Sequence, residues 1–170
     1  LYTYEDLVET GMDAAVRSYF ESSRSSTGDP DPDLPVEAVA QRLHDTAMPA
    51  AIWDLVLPEG ERPRRVAAIM GGHQVQRDDP RYRQIVEIGY RLTGAGIMVA
   101  TGGGPGIMEA GNLGAFLTRG GEIGVIDEAL ALLARAPGVE HPDYSAAATE
   151  VHRRFAAGPG GVSLAIPTWL

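Results

Sequence analysis

The stretch Ile97-Met-Val-Ala-Thr-Gly-Gly-Gly-Pro-Gly-Ile-Met-Glu109 carries the strongest structural signal in this sequence. A short apolar run ends at Thr101, and three glycines and Pro105 precede a helical pattern. Backbone without side chains allows a sharp turn from strand to helix, and proline suits the first helical position because its missing N–H would be unpaired there. The positive end of a helix dipole exposes N–H groups that bind phosphate or another anion. The stretch therefore predicts a phosphate-binding turn, without indicating what the phosphate belongs to.

The residues around this turn alternate between strand and helix patterns. Three short apolar runs, of the kind found in buried parallel strands, predict strands at Val66–Met70, Ile97–Ala100 and Val162–Ile166. Amphipathic repeats predict helices at Pro80–Thr93, Asp127–Ala136 and Pro142–Phe155. The segment Glu122–Ile126 fits either a strand or the lead-in to a helix, and we favour the helix. This alternation predicts an α/β fold with a Rossmann-like doubly wound parallel sheet. Three strands are few for such a sheet, so we expect residues 64–170 to be the N-terminal part of a nucleotide-binding domain.

Residues 1–63 have a different pattern, which predicts an N-terminal helical extension and linker. Tyr4–Phe20 and Val36–Ala47 have apolar residues at helical spacing. The proline-rich segment Ser22–Pro35 between them predicts a loop. An apolar segment, Met48–Leu57, and a second loop up to Pro63 complete this part of the chain.

The composition excludes several functional classes. The chain has 170 residues, a formal net charge of −9 and no cysteine, which rules out thiolate nucleophiles and thiolate zinc sites. All fourteen basic residues are arginine, so the lysine that P-loop and pyridoxal phosphate enzymes require is missing. The acidic balance argues against nucleic-acid binding, and no apolar run is long enough for a membrane span. We expect a cytoplasmic protein, because the lack of cysteine suits a reducing compartment.

Two glycine turns follow neighbouring predicted strands and form the candidate ligand site. Ligands of open α/β sheets bind beyond the carboxyl ends of the strands, where both turns should lie. The candidate binding residues are Gly71, Gly72 and His73 in the first turn, and Thr101, Gly102, Gly103, Gly104, Pro105, Gly106 and Glu109 in and after the second. The alternative is that the glycines serve only tight turns with positive φ.

Glu109 lies one turn into the predicted helix and admits two interpretations. Its carboxylate could hold a ribose hydroxyl or a loop N–H inside the pocket. Alternatively it is a first-turn acid that complements the helix dipole. The sequence leaves these two equally supported. Asn112, one helical turn further on, has the same two interpretations and a weaker case.

Other polar residues have weaker patterns. Arg77, Arg81 and Arg83 could reach an anion near the first turn, but neighbouring aspartates favour a solvated helix face. Trp169 could stack on a base or anchor a core or subunit contact. The four histidines lack metal-ligand spacing, so we expect no metal site. The glycine spacing does not match the dinucleotide fingerprint, which makes a dehydrogenase a poor fit.

The segment Thr101–Ala115 resembles the TGGGPGIMEAANxGA motif of the LOG family, which comprises cytokinin-activating phosphoribohydrolases and related nucleotide 5′-monophosphate nucleosidases. Gly71-Gly72-His73 is similar to the nucleosidase branch, and Ser163–Trp169 is similar to the third strand of bacterial members. The resemblance covers roughly Arg65 to Leu170. It implies a usually dimeric, doubly wound fold and hydrolysis of the N-glycosidic bond between a base and ribose 5-phosphate, with no cofactor.

The family's second motif, PGGxGTxxE with an upstream arginine, should follow the third strand, and the sequence ends before it. That motif supplies the family's catalytic glutamate and arginine; a carboxylate suits the oxocarbenium-like transition state of glycoside hydrolysis. The nearest segment, Gly158-Pro-Gly-Gly161, lacks the glutamate. We therefore carry over ligand-binding roles only and assign no catalytic residue.

Three functions remain open from the sequence. The first is a phosphoribohydrolase that acts on nucleoside 5′-monophosphates as a homodimer. The second is a non-catalytic nucleotide-binding sensor or carrier that uses the same turns. The third is that the glycine turns are purely structural and the N-terminal helices form a protein-interaction surface. The preferred base is not indicated by any residue.

Overall fold

The computed structural model of the protein describes residues 34–157 and 161–166. The chain separates into two compact units, with the boundary between Glu59 and Gly60. The predicted helix Tyr4–Phe20, the linker up to residue 33 and Trp169 lie outside the described residues. Among the described helices, none is both long enough and apolar enough to cross a bilayer.

The described part of the first unit contains one long helix, α1, at Leu34–Val56. It joins the predicted helix Val36–Ala47 to the apolar segment after it and continues through Pro49. Proline has no N–H to donate in a helix interior, so the sequence favours a break that the structure does not make. Large apolar side chains of α1, including Leu43 and Trp53, are exposed.

The second unit is an α/β structure with an open, all-parallel three-stranded sheet. Its elements are β1 (Arg65–Ile69), α2 (Pro80–Gly94), β2 (Ile97–Thr101), α3 (Ile107–Leu117), a 3₁₀ turn (Thr118–Gly120), α4 (Val125–Leu133), α5 (Tyr144–Phe155) and β3 (Ser163–Ala165). The sheet order is β1-β2-β3, so β2 is central. The α/β class, the parallel sheet and the three predicted strands are confirmed.

The strand register brings both candidate turns to the same edge of the sheet. Ile69 pairs with Thr101, and Thr101 pairs in turn with Ala165. These are the last residues of the three strands, so the segments that follow them leave from adjacent positions. Ile166 continues this alignment by donating its N–H to the carbonyl oxygen of Thr101 at 2.9 Å.

Helices α2 and α3 pack tightly against each other and against the sheet. A side chain at Gly114 would place its Cβ 2.1 Å from the carbonyl oxygen of Val86, so only glycine permits this separation of the two helices. The core beneath them is formed by side chains of α2, α3, α4 and α5, chiefly Tyr82, Val86, Leu117, Ile126, Leu133 and Val151.

The prediction that β1 is buried on both faces is wrong. Ile69 faces α3, where it lies against Gly111. Because side chains alternate along a strand, Val66 and Met70 point to the other face, where Met70 is 80% exposed. No described residue covers that face of β1. An apolar run identifies a strand but does not reveal whether both of its faces have partners.

Local signals account for the start of α2. Asp79 caps α2 by accepting the N–H of Arg81 at 2.8 Å, and Pro80 occupies the first turn. Arg81 also pairs with Asp79, which lowers the pKa of Asp79 to about 2. The ambiguous segment Glu122–Ile126 is a turn that leads into α4 at Val125, as favoured, although the helix starts and ends earlier than predicted.

Candidate functional site

The two glycine turns are in direct contact. The N–H of Ile107, the first residue of α3, donates to the carbonyl oxygen of Gly72 at 3.3 Å. A Cβ at Gly71 would overlap the side chain of Ile107, and a Cβ at Gly106 would lie 2.5 Å from the carbonyl oxygen of Gly72. The first turn therefore packs on the start of α3, and both glycines are needed for this close approach.

The second turn reaches the helix through two residues with left-handed backbone. Gly103 has a φ of 71° and Gly106 a φ of 72°. Residues with a side chain rarely adopt a positive φ, and such backbone strain costs about 1–3 kcal/mol per residue. Gly106 is the N-cap of α3 and Pro105 precedes it, so the prediction that the proline occupies the first helical position is off by two residues.

The start of α3 has no side-chain cap. Its first internal hydrogen bond is donated by Ala110 to Gly106 at 2.9 Å. The N–H groups of Met108 and Glu109 precede that bond and have no partner within the helix. They lie at the positive end of the dipole, beside a turn in which Gly103 is exposed.

Thr101 anchors the second turn from beneath. It is buried, and its hydroxyl oxygen accepts the N–H of Gly103 at 3.0 Å and the side-chain amide of Asn112 at 2.7 Å. Asn112 thus supports the turn from α3 through Thr101. The oxygen of the same amide, Asn112 Oδ1, is buried without a hydrogen-bond partner among the described residues.

The carboxylate of Glu109 is held by Arg77 and Tyr144. Arg77 donates to it from Nε at 3.2 Å and, in a second and shorter bond, from Nη2. The hydroxyl of Tyr144 donates to Glu109 Oε2 at 2.7 Å. Glu109 is therefore neither a free ribose ligand nor a simple dipole partner in this structure, although its side chain remains 22% exposed.

Arg77 is the centre of this arrangement and is itself almost fully buried, with 2% of its surface exposed. Its Nη1 donates to the carbonyl oxygens of Ala136 at 3.3 Å and Tyr144 at 2.9 Å. Its guanidinium carbon lies 3.4 Å from the centre of the Tyr144 ring, which adds a cation–π contact. The arginine therefore joins the loop after β1 to α3, to the segment between α4 and α5, and to α5 itself.

The prediction that Arg77 lies on a solvated helix face is wrong, whereas Arg81 and Arg83 do form exposed ion pairs. A buried charge needs a paired and hydrogen-bonded environment. For Arg77 this environment comes from residues 32 and 67 positions away along the chain. No local pattern distinguishes it from the neighbouring arginines.

We refer to Arg77, Glu109, Tyr144 and Tyr82 as the cluster. Its electrostatics follow from burial and from the charge of Glu109. Burial alone would lower the pKa of Arg77, but the hydrogen bond and charge of Glu109 outweigh it and the pKa rises. Burial, reinforced by Glu109, raises the pKa of both Tyr144 and Tyr82 well above the usual value near 10. The arginine is therefore charged and both phenols are neutral at pH 7.

Tyr82 completes the cluster without a hydrogen bond. It is fully buried, and its hydroxyl has no partner among the described residues. The sequence assigned no functional role to Tyr82 or to Tyr144. His73 lies in the first turn as predicted and is exposed, with its backbone against Gly106.

Comparisons with known proteins leave the chain without an assigned family. No protein-family model matches it, and no curated protein matches it significantly. The resemblance to the LOG family thus depends on the residues of the two glycine turns and the third strand alone.

Proposed function

We propose that this protein binds nucleoside 5′-monophosphates at the two glycine turns and hydrolyses their N-glycosidic bond, as the LOG-type phosphoribohydrolases do. The observation that supports binding most directly is the start of α3, which has no side-chain cap and follows a turn that contains the exposed Gly103. Such an arrangement is a common phosphate site in α/β proteins.

The fold supports the same proposal. A parallel sheet with both glycine turns at the carboxyl ends of adjacent strands is the geometry in which α/β proteins bind nucleotides. We propose that the complete arrangement is a Rossmann-like, doubly wound domain. The exposed apolar side chains on the far face of the sheet, Val66 and Met70 among them, are of the kind that a second layer of helices covers.

The phosphate would be bound by backbone N–H groups of the second turn and of the first turn of α3. The base and ribose would extend over the exposed first turn, near His73. Hydrolysis needs a carboxylate that stabilises an oxocarbenium-like state or activates water. Within the described residues the carboxylate at the site, Glu109, already accepts three hydrogen bonds, and the resemblance assigns the catalytic glutamate to a segment after the third strand.

A non-catalytic nucleotide sensor or carrier is the second candidate. It needs only what the described residues offer, because a nucleotide can bind at the two turns while Glu109 stays hydrogen-bonded to Arg77 and Tyr144. Both candidates use the same binding site and differ only in whether the bound nucleotide is cleaved.

The test is to incubate the protein with AMP, GMP, IMP, CMP and UMP and to follow free base and ribose 5-phosphate by chromatography, with binding measured by calorimetry. Release of both products supports the hydrolase. Binding without release supports the sensor or carrier, and no binding of any nucleotide contradicts both.

The location of the site is tested with Gly103→Val and a matched control, Gly121→Val. Both glycines have positive φ, but Gly121 lies in the turn after α3 with no atom within 4 Å of its Cβ position. Nucleotide binding should be lost in Gly103→Val and retained in Gly121→Val. Equal affinity in the two variants would exclude the second turn as the site. Gly104 is a less suitable position for this test, because a Cβ there would contact the end of the flexible Met108 side chain, which can move aside.

A further inference from the structure

We infer that Arg77 is a positioning residue for the anion site: it neutralises Glu109 and fixes the first turn of α3, and so allows a phosphate to bind at that turn. This inference depends on the proposed binding site and adds to it a residue that does not itself touch the ligand. The inference follows from the position of the Glu109 carboxylate in the same helical turn that is proposed to bind the anion.

The need for neutralisation comes from the position of Glu109. It lies three residues after the N-cap Gly106, so a negative charge stands in the same helical turn that would hold the phosphate. Like charges in a partly buried setting repel more strongly than in water. An unpaired Glu109 would therefore oppose the attraction that the helix dipole provides.

Arg77 is arranged to cancel this charge. It presents two N–H groups to the carboxylate in side-by-side bonds, and its third donor group is occupied by the carbonyl oxygens of Ala136 and Tyr144. Its stacking on the Tyr144 ring prevents the guanidinium from turning towards a ligand. Arg77 is thus committed to Glu109 and does not serve as a direct phosphate ligand.

The same contacts hold the helix start in place. Arg77 donates its backbone N–H to the carbonyl oxygen of Pro137 at 3.0 Å, so its own loop is anchored to the segment between α4 and α5. Tyr144 adds its hydroxyl bond to Glu109 from α5. The first turn of α3 is therefore connected to three other segments through one carboxylate.

The charge role makes a prediction that a purely structural role does not. Arg77→Gln leaves the carboxylate uncompensated and should weaken phosphate binding by about ten-fold. Glu109→Gln leaves the positive charge of Arg77 uncompensated, and phosphate binding should therefore be maintained or strengthened. The double variant Arg77→Gln/Glu109→Gln, in which neither charge is present, should bind within about three-fold of the wild type.

The experiment measures inorganic phosphate binding by equilibrium dialysis for the wild type and the three variants, because phosphate has no ribose that Glu109 could contact. Denaturant unfolding run in parallel shows which variants remain folded, and the double variant keeps the test valid if Arg77→Gln is too unstable. A folded Arg77→Gln that binds phosphate about ten-fold more weakly, with a double variant that binds like the wild type, supports the inference. If Arg77→Gln does not fold, the support required is a Glu109→Gln that binds phosphate more tightly than the wild type together with a double variant that binds like the wild type.

Two results would overturn it. If the phosphate affinity of the double variant and of Glu109→Gln falls in proportion to their loss of stability, Arg77 contributes to folding only. If Arg77→Gln is folded and binds phosphate normally, it has no role at the site. Absence of phosphate and nucleotide binding in the wild type itself would overturn the proposed function and this inference together, whereas failure confined to the variants leaves the binding site in place.

Discussion

Ile107 and Gly72 connect the two glycine turns through one backbone hydrogen bond of 3.3 Å. The bond occupies one of the N–H groups at the start of α3, a group that a helix usually offers to solvent, a cap or a ligand. The anion site proposed above therefore uses the N–H groups that follow it. The same bond also holds the first turn against the start of α3.

Gly106→Ala should break this junction. The substitution places a Cβ 2.5 Å from the carbonyl oxygen of Gly72 and forces a left-handed φ on an L residue. The control, Gly121→Ala, also has a positive φ, 85° against 72° at Gly106, but free space around the Cβ. We expect the control to lose about 1–3 kcal/mol of unfolding free energy through backbone strain and Gly106→Ala to lose at least about 1 kcal/mol more. Urea denaturation of both variants measures this, and equal losses would show that the junction does not constrain Gly106.

Gly114→Ala should destabilise the protein although alanine is the better helix former. Its Cβ would meet the backbone of Val86 and Tyr90 on α2, at 2.1 and 2.7 Å. The helices must separate, at a cost of about 1–3 kcal/mol. In Gly94→Ala, at the end of α2, no atom lies within 4 Å of the new Cβ, so the substitution should stabilise by up to about 1 kcal/mol. Thermal unfolding midpoints should move in opposite directions, and a shift of the same sign in both variants would contradict the packing argument.

Tyr82→Phe and Tyr144→Phe remove the same atom and should have opposite effects on stability. The hydroxyl of Tyr82 is buried without a partner, so its removal should stabilise the fold by about 1 kcal/mol. The hydroxyl of Tyr144 donates to Glu109, so its removal should cost about 1 kcal/mol while the ring keeps its stacking on Arg77. Chemical denaturation at pH 7 compares the two. A destabilised Tyr82→Phe would indicate that its hydroxyl does have a partner in solution.

Alkaline pH should reveal the raised pKa of the two tyrosines. In the unfolded chain they lose their protons near pH 10, but in the folded protein both keep them to higher pH because of burial and the charge of Glu109. The unfolded state then binds fewer protons, so stability is complete below pH 10 and falls as the pH rises above it. Each tyrosine can contribute up to about 1.4 kcal/mol per pH unit.

Tyr82→Phe isolates one of these contributions. The variant should show a shallower loss of unfolding free energy between pH 10 and 11.5 than the wild type, measured by urea denaturation at each pH. Identical slopes would mean that Tyr82 titrates equally in the folded and unfolded chains.

The local elements of this protein follow from its sequence. Apolar runs predicted β1, β2 and β3 to within a residue or two, and Asp79 with Pro80 marked the start of α2. The glycine turn after Thr101 was recognisable because only glycine tolerates its backbone, as Gly103 and Gly106 show. Such signals are local, since they depend on side-chain periodicity and on the dihedral freedom of single residues.

Predicting the site would have required contacts between distant parts of the chain, which no local sequence pattern contains. Arg77 resembles Arg81 and Arg83 in the sequence, yet it alone is buried, because Glu109 and Tyr144 approach it from distant parts of the chain. From the sequence, Glu109 could be placed near the turn, but its partners Arg77 and Tyr144 could not be identified. The exposed face of β1 was missed for the same reason.

The sequence by itself therefore determined the order of strands and helices, the parallel sheet and the position of the two glycine turns. The tertiary structure decided that these turns touch through Ile107 and Gly72, and that the carboxylate beside them is neutralised by Arg77. Secondary structure depends on the conformational preferences of neighbouring residues. Burial of a charge, in contrast, depends on whether a partner reaches it in space, and that is known only once the whole unit has packed.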